Sequence, residues 1–189
     1  SALAYCINAA DFDFVSANVF PTDKHGIDLK PYKIFERNGV RIGVLGLLQV
    51  DANGRPDAHP DMCKGIGFLD PLKVAGHYKY LRSQCDVLIL LTHLGFETDI
   101  GLARQCPQAD ATIGGHSHTF LEEPAVVNNI PIVQAATGTD QVGRFDIMID
   151  TDNNCIDSYE WNLIPIDDTH CPRDPALEEV IKKYVDATD

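Results

Sequence analysis

Two histidines, His116 and His118, lie one residue apart in the stretch GGHSHT, directly after a pair of glycines and a short apolar run. A third, His93, ends the apolar run CDVLILLTH. Neutral imidazole nitrogen is a good ligand for Zn²⁺, Mn²⁺, Fe or Ni²⁺. Three histidines that converge on one crevice are hard to explain as packing, so we expect these side chains to bind metal.

The segments around these histidines have the pattern of a βαβ unit. Residues 85–93 form a near-continuous apolar run, which is typical of a strand covered on both faces. Residues 98–106 read as a short helix and residues 110–115 as the next strand. A strand, a helix and a strand within about 30 residues predict two parallel strands. Because ligands bind beyond the carboxyl ends of parallel strands, His93 and His116 should lie side by side.

The rest of the chain also alternates β-like and helical segments. The dipeptide Asn38-Gly39 predicts a tight hairpin within residues 32–48. Asp70 followed by Pro71 predicts the start of a helix over residues 70–84. The remaining patterns predict helices at 3–10 and 175–189 and strands at 12–19, 130–136, 142–150 and 157–166, the last three as an antiparallel meander.

A site made of histidines alone lacks the negative charge that two neighbouring metal ions need. Dications held about 3.5–4 Å apart repel each other unless a carboxylate bridges them. The nearest candidates are Asp51, just beyond one predicted strand, and Asn18, at the end of another. Both are also explained without a metal, Asp51 as a turn residue and Asn18 as a strand-end residue that bonds to backbone. Asp99 fits better as the N-cap of the helix after His93.

Length and composition limit the kind of protein. A chain of 189 residues with 44% hydrophobic content fits one domain, with room for an appendage. Its 15 basic and 28 acidic residues leave a net charge of −13, which repels phosphate backbones and argues against nucleic-acid binding. No apolar run approaches the ~18 residues of a membrane span.

The remaining histidines and the cysteines carry no comparable pattern. His25, His59, His77 and His170 each fit an ordinary surface or core position. The six cysteines form no CxxC pair, so they fit free thiols, or one or two disulfides if the protein is exported. Residues 1–10 lack the layout of a signal peptide, although an export signal could have preceded Ser1.

Five motifs together resemble the catalytic domain of the 5′-nucleotidase branch of the calcineurin-like metallophosphoesterases. They follow the family's order and spacing over residues 3–166. The motifs are FDFVSANV (12–19), NGVRIGVLGL (38–47), THLG (92–95), GGHSHT (114–119) and IVQAATGTDQVGRFDI (132–147).

The resemblance implies a four-layer α/β/β/α sandwich with a dinuclear metal centre at the strand ends. It implies that His93 and His116 ligate one divalent ion, such as Zn, Mn or Fe, and that His118 ligates the other. The implied reaction is hydrolysis of a phosphate ester, with nucleotides, nucleotide sugars and cyclic nucleotides as the usual substrates. Many members of the family are exported, which favours a periplasmic or extracellular location.

The departures from the family pattern define what we expect to be missing. The family's Asp-x-His pair, its bridging aspartate in Gly-Asp and its Gly-Asn-His-Glu motif do not occur in the sequence. In the family these motifs precede the SANV-like strand, so the catalytic residues are expected upstream of residue 1. Residues 1–189 should therefore be the C-terminal half of the catalytic domain, with a mixed sheet, a βαβ crossover and an antiparallel meander.

Truncation has two further consequences. Residues 171–189 should be a C-terminal helix that leads to a linker or to an absent second domain. Strands that are central in the family become edges, so the chain should pair with another chain through exposed sheet edges. The alternative to an enzyme is an inactive fragment or remnant, a binding or structural module that holds at most one metal ion.

Overall fold

The computed structural model describes residues 2–23 and 27–187, and His25 lies outside them. The helices are α1 (Ala2–Ala9), α2 (Pro71–His77), α3 (Phe96–Gln105) and α4 (Pro175–Val185), with short 3₁₀ turns at Pro60–Cys63 and Lys79–Ser83. The strands are β1 (Val19–Pro21), β2 (Tyr32–Arg37), β3 (Val40–Leu48), β4 (Ile66–Phe68), β5 (Val87–His93), β6 (Ala111–Ile113), β7 (Ala125–Val127), β8 (Ile130–Val133), β9 (Gln141–Asp150) and β10 (Cys155–Pro165).

A six-stranded mixed sheet in the order β2-β3-β5-β6-β8-β7 forms the centre of the fold. The four inner strands run parallel, and the outer strands β2 and β7 pair antiparallel to their neighbours. Strand β5 pairs with β6 from Ile89–Ala111 to Leu91–Ile113, with helix α3 between them in the chain. The predicted mixed α/β class and its βαβ crossover are confirmed.

The hairpin between β2 and β3 forms as its sequence predicts. Asn38 and Gly39 have φ angles of 53° and 80°, the left-handed values that a tight hairpin turn requires. The turn places β3 next to β5, with Leu48 in register with His93. Strand β3 therefore ends at the same edge of the sheet as the first histidine.

Helices α2 and α3 cover one face of the sheet. Their apolar side chains pack with Leu45, Leu88, Leu90 and Ile132 in one hydrophobic core. Helix α2 begins as predicted, with the Asp70 carboxylate accepting hydrogen bonds from the first turn. It ends at His77 and continues as a 3₁₀ turn, so the predicted single helix over 70–84 is two shorter segments.

The other face of the sheet is only partly covered. Leu91 and Ile113 lie next to each other on the central strands β5 and β6, yet they are 42% and 36% exposed. Their strand neighbours Leu90 and Thr112 point to the helix side and are buried. The described part of the chain thus has an apolar patch at the centre of its main sheet.

The predicted strand at 12–19 is wrong for most of its length. Only Val15 forms an isolated bridge, with Lys30, and β1 begins at Val19. The reason is that adjacent N–H groups have partners in different segments, since Ser16 donates to the Lys30 carbonyl and Ala17 to the Gly46 carbonyl. Residues 15–17 lie along the edge of the sheet beside the end of β3, beyond Leu45, the last β3 residue that pairs with β2.

The predicted meander is reduced to one hairpin. Strands β9 and β10 form a separate antiparallel pair, whereas β8 lies inside the main sheet between β6 and β7. All four residues of β8 are buried, which is the pattern of an inner parallel strand. Strand β7 had no clear sequence pattern and was not predicted.

The C-terminal helix forms as predicted over Pro175–Val185, while residues 188–189 lie outside the described range. None of its residues is buried. Among the residues described, no helix has both the length and the apolar content of a membrane span.

Candidate metal centre

The parallel strands bring His93 and His116 together. His93 is the last residue of β5, and His116 follows the two glycines after β6. Their ring centroids are 5.2 Å apart and the ring planes meet at 69°. The side-by-side placement expected of a βαβ crossover is therefore present at the carboxyl edge of the sheet.

Two glycines let the rings and the backbone approach each other. The Gly95 N–H donates to the Gly115 carbonyl at 3.0 Å, which ties together the loops after β5 and β6. A Cβ on Gly115 would lie 3.0 Å from Nδ1 of His93, and one on Gly95 would lie 3.5 Å from the His116 ring. Because 3.0 Å is tighter than most contacts of a Cβ atom, a side chain at Gly115 would require the His93 ring to shift by a few tenths of an ångström.

The backbone of the histidine loop is unusual. His116 and His118 have φ angles of 81° and 53°, in the left-handed region that non-glycine residues rarely adopt. His118 is exposed and His116 half-buried. Within the described ranges, no group of three His, Cys, Asp or Glu side chains is close enough to hold a metal ion. The structure thus places two imidazoles together and the third on the same loop, outside a preformed three-ligand set.

The His93 ring has the protonation state that a metal ligand needs. Burial lowers its pKa from the ordinary value, and the nearby rings of His116 and His118 lower it further. A lowered pKa keeps the imidazole neutral at physiological pH, so its nitrogen lone pair is available to a cation.

A buried glutamine lies directly beneath the histidine loop. Gln134, only 2% exposed, follows the last residue of β8. Its side-chain oxygen accepts hydrogen bonds from the Thr119 N–H and the Ser117 hydroxyl, and its side-chain nitrogen donates to the Gly115 carbonyl at 3.3 Å. Gln134 is absent from the predicted site residues, although a polar residue within the apolar run 130–136 is a usable signal.

The start of helix α3 differs from the prediction. The helix begins at Phe96, with Gly95 as its N-cap, so the prediction that Asp99 caps it is wrong. The Phe96 N–H donates to the Ser117 hydroxyl at 3.0 Å, so the histidine loop itself caps the helix. No local sequence signal could reveal this contact, because the cap lies 21 residues away in the chain.

Asp99 instead lies inside the first turn of α3. It is fully buried, and neither carboxylate oxygen has a hydrogen-bond partner. Burial raises its pKa from 3.8 to about 6, while the nearby Thr92 hydroxyl acts in the opposite direction. A Cβ on Gly114 would lie 2.4 Å from Oδ2 of Asp99, so the carboxylate packs directly against the start of the histidine loop.

Asp51 forms a turn beside the histidines. One carboxylate oxygen accepts from the N–H groups of Asn53 and Arg55 at 2.8 and 3.0 Å, and the other accepts from the Asn53 side chain. These bonds, that of Arg55 first, lower the Asp51 pKa. Asp51, Arg55 and His116 line one open depression of about 520 Å³. Asp51 therefore stabilises its own loop and lies in the same depression as a candidate ligand.

Asn18 hydrogen bonds with backbone groups of two segments. Its amide nitrogen donates to the carbonyls of Leu48 and Leu69, and its oxygen accepts from the Leu48 N–H, all at 2.8–2.9 Å. The side chain is fully buried. Asn18 thus holds the end of β3, which is the non-metal role considered for it.

The remaining described histidines and the cysteines have local explanations. His59, His77 and His170 accept from or bond with neighbours within four residues along the chain. The cysteines are free thiols, two of them buried; the six are Cys6, Cys63, Cys85, Cys106, Cys155 and Cys171.

The donor set fits part of a metal site. His93, His116 and His118 offer soft-to-borderline nitrogen donors suited to Zn²⁺, Mn²⁺ or Fe. Neutral His93 and the glycine-lined approach are consistent with a cation at this edge. Both oxygens of Asp51, which lies in the same depression, already accept hydrogen bonds. The described residues thus offer histidine donors without a complete ligand set.

Known proteins share this mixed α/β fold. A 5′-nucleotidase precursor from Thermus thermophilus has the same fold, with a TM-score of 0.85, 26% identity and coverage of 98% of this chain and 40% of that one. A 5′-nucleotidase from Vibrio cholerae is 30% identical over 83% of the chain. A protein named 5NUC from Lutzomyia longipalpis is 27% identical over 94% of it.

These similarities establish the relationship and its extent. The chain belongs with the 5′-nucleotidases of the metallophosphoesterase family, as the five motifs predict. No protein-family profile matches it. It spans about a third of the length of the two sequence relatives, 34% in each case.

Proposed function

We propose that the protein is a metal-dependent phosphoesterase that hydrolyses nucleotides or related phosphate esters. The observation that carries the proposal is the contact between His93 and His116 at the ends of adjacent parallel strands. The same fold occurs in a solved 5′-nucleotidase precursor. Acidic surface charge disfavours phosphate, so bound divalent cations would attract the substrate against that field.

The chain's own residues would hold the metals and shape the approach. His93 and His116 would ligate one ion and His118 the other, with two ions in the complete domain. Such ions activate a water molecule and neutralise phosphate oxygens. Gly95 and Gly115 leave the rings open to a ligand, and neutral His93 needs to lose no proton before it binds a cation.

Several required groups are not supplied by the described residues. Two carboxylates of the described residues lie near the histidine loop. The oxygens of Asp51 are engaged in its turn, and Asp99 is fully buried, so neither is an open bridging carboxylate or catalytic acid or base. We place these groups in a part of the domain outside the 189 residues. This division accounts for imidazoles that lie close together without forming a complete ligand set.

Hydrolysis of p-nitrophenyl phosphate with Mn²⁺ or Zn²⁺ tests this division. The 189-residue chain should turn the substrate over poorly or not at all. A longer protein that contains the missing groups should hydrolyse it, and 5′-nucleotides, in a metal-dependent way. Robust turnover by the verified 189-residue chain would contradict the division and would point to Asp51 or a partner chain as the source of the carboxylate.

The second candidate function is a binding or structural module without activity. It is favoured by the lack of a three-ligand group within the described ranges. Both candidate functions assume the same family relationship. They differ in whether the chain is part of a longer enzyme or a self-sufficient short protein. The intact mass of the purified protein and the reading frame immediately before Ser1 distinguish a truncated enzyme from a self-sufficient short protein.

We also propose a periplasmic or extracellular location and association with a further polypeptide segment. The solved relative from Thermus thermophilus is described as a precursor. Cell fractionation with a cytoplasmic marker enzyme as control tests the location. Recovery of the protein only with the cytoplasmic marker would contradict it.

A further inference from the structure

The histidine loop holds two residues in an unfavourable backbone conformation. His116 and His118 both have positive φ angles. A non-glycine residue in this conformation is energetically unfavourable and persists only where the surrounding structure fixes it. The source of that constraint must lie in contacts to the loop itself, since the His118 side chain is exposed.

Gln134 supplies contacts on each side of both histidines. Its side chain bonds to the Gly115 carbonyl, the Ser117 hydroxyl and the Thr119 N–H. These three groups belong to the residues just before His116, between the two histidines, and just after His118. One buried side chain therefore fixes the whole path of the loop.

The chemistry of the amide accounts for glutamine at this position. A backbone carbonyl can only accept and a backbone N–H can only donate, so the orientation of the Gln134 amide is fixed by its partners. Glutamate would keep the bonds to Ser117 and Thr119 and lose the donation to Gly115. Methionine would have a similar shape and would lose all three bonds.

The Ser117 hydroxyl extends this constraint to helix α3. It donates to Gln134, and it accepts from the Phe96 N–H at 3.0 Å. The same hydroxyl lies 2.8 Å from the Thr119 hydroxyl. The loop is thereby tied both to β8, through Gln134, and to the segment that directly follows His93.

We propose that Gln134 is a positioning residue that fixes the loop carrying His116 and His118 and thereby raises the metal affinity of these histidines. The proposal rests on the metal site proposed above. Gln134 does not contact the metal in this account. It acts through the backbone of the loop, as outer-shell partners do when they orient metal ligands, and loss of such a partner typically weakens metal affinity about 10–100-fold.

Titration of the intact chain with Co²⁺ alone, followed by visible absorption, tests the proposal. Gln134→Met should weaken Co²⁺ binding about 10–100-fold and lower the absorption per bound ion. Gln134→Glu should fall between Met and the native residue, because it keeps two of the three bonds. Gln141→Met is the matched control, since Gln141 bonds to the Ala135 carbonyl and not to the loop. It should leave affinity and spectrum unchanged.

The outcomes separate this proposal from the proposed function. Failure of the native chain to bind Co²⁺ would overturn the metal site and this inference with it. Native binding with unchanged affinity and spectrum in Gln134→Met would overturn the positioning role alone. A purely structural role would lower the thermal unfolding temperature of the metal-free variant and leave binding by the folded protein unchanged. If Gln134→Met does not fold, the same comparison made with Gln134→Glu decides the question.

Discussion

At the scale of single residues, metal binding depends on imidazoles that lie close together. The ring centroids of His93 and His116 are 5.2 Å apart, and burial lowers the pKa of His93. Metal ligation by these two residues and by His118 remains a prediction. It can be tested without activity, through metal content.

Replacing His116 with alanine should lower the metal content of the purified protein. Loss of a direct ligand should weaken affinity by more than the roughly 10–100-fold that loss of an outer-shell partner costs. Elemental analysis after dialysis measures the stoichiometry. His170→Ala is the control, because His170 bonds locally to Asp167. Equal metal content in both variants would refute the ligand assignment.

The buried Asp99 predicts a pH dependence of stability. Its pKa is about 6 in the fold against 3.8 for the free side chain, so the folded state favours the protonated form. Well below pH 3.8 the carboxyl is protonated in both states and carries no penalty. The penalty grows as the pH rises and is complete above the folded pKa, at roughly 3 kcal/mol.

Asp99→Asn should therefore gain more stability over the native protein at about pH 7.5 than at about pH 4. Urea unfolding at the two values measures the difference. The control is Asp86→Asn, measured between about pH 5 and 7.5. Hydrogen bonds from Arg41 lower the pKa of Asp86, so it stays ionised throughout that window and its contribution is constant there. An Asp99→Asn effect that is the same at all pH values would show that the carboxyl is not strained by burial.

At the scale of elements, the start of the histidine loop is packed against helix α3. A Cβ on Gly114 would meet the Asp99 carboxylate at 2.4 Å and the Gln134 amide at 3.3 Å. Gly114→Ala should therefore destabilise the fold by about 1–3 kcal/mol, the usual cost of overpacking. Gly101 lies within helix α3 and has open space around it, so Gly101→Ala should instead stabilise the fold by up to ~1 kcal/mol. Urea unfolding of both variants tests this contrast, and similar changes in the two would contradict it.

Local patterns predicted the elements whose partners are near in sequence. The Asn38-Gly39 hairpin, the Asp70 cap and the β5-α3-β6 crossover all form as expected. Contacts that depend on distant segments could not be predicted. Residues 15–18 take their place from the end of β3, and the cap of α3 comes from Ser117 in the loop after β6.

The same distinction between local and distant contacts applies to the candidate site. Paired imidazoles could be expected from two strand ends and one crossover, because parallel strands end at the same edge. The contacts that Gln134 makes with the histidine loop could not, since they require β8 to lie beside β6, whereas its pattern suggested an antiparallel meander.

At the scale of the whole molecule, one face of the main sheet carries an exposed apolar patch. Leu91 and Ile113 are exposed on inner strands, where side chains are normally covered on both faces. The family resemblance implies a second sheet packed against this face. The sequence predicts that the chain pairs with another chain through exposed sheet edges. The apolar patch of Leu91 and Ile113 is a second candidate surface for association.

The isolated chain should therefore self-associate through this patch. The double variant Leu91→Ser with Ile113→Ser should raise the monomeric fraction in sedimentation velocity measurements. Met62→Ser with Leu69→Ser is the control, because those apolar side chains are exposed but lie away from the central strands. The same sedimentation profile for native chain and patch variant would show that the face is not the association surface.

X-ray absorption at the zinc edge of the Zn²⁺-loaded protein tests the central claim most directly. We expect imidazole nitrogen scattering at about 2.0–2.1 Å, clearly reduced when His93 and His116 are both replaced with alanine. A spectrum with oxygen ligands alone, or one that the double replacement leaves unchanged, would contradict metal binding by the histidines at the ends of β5 and β6.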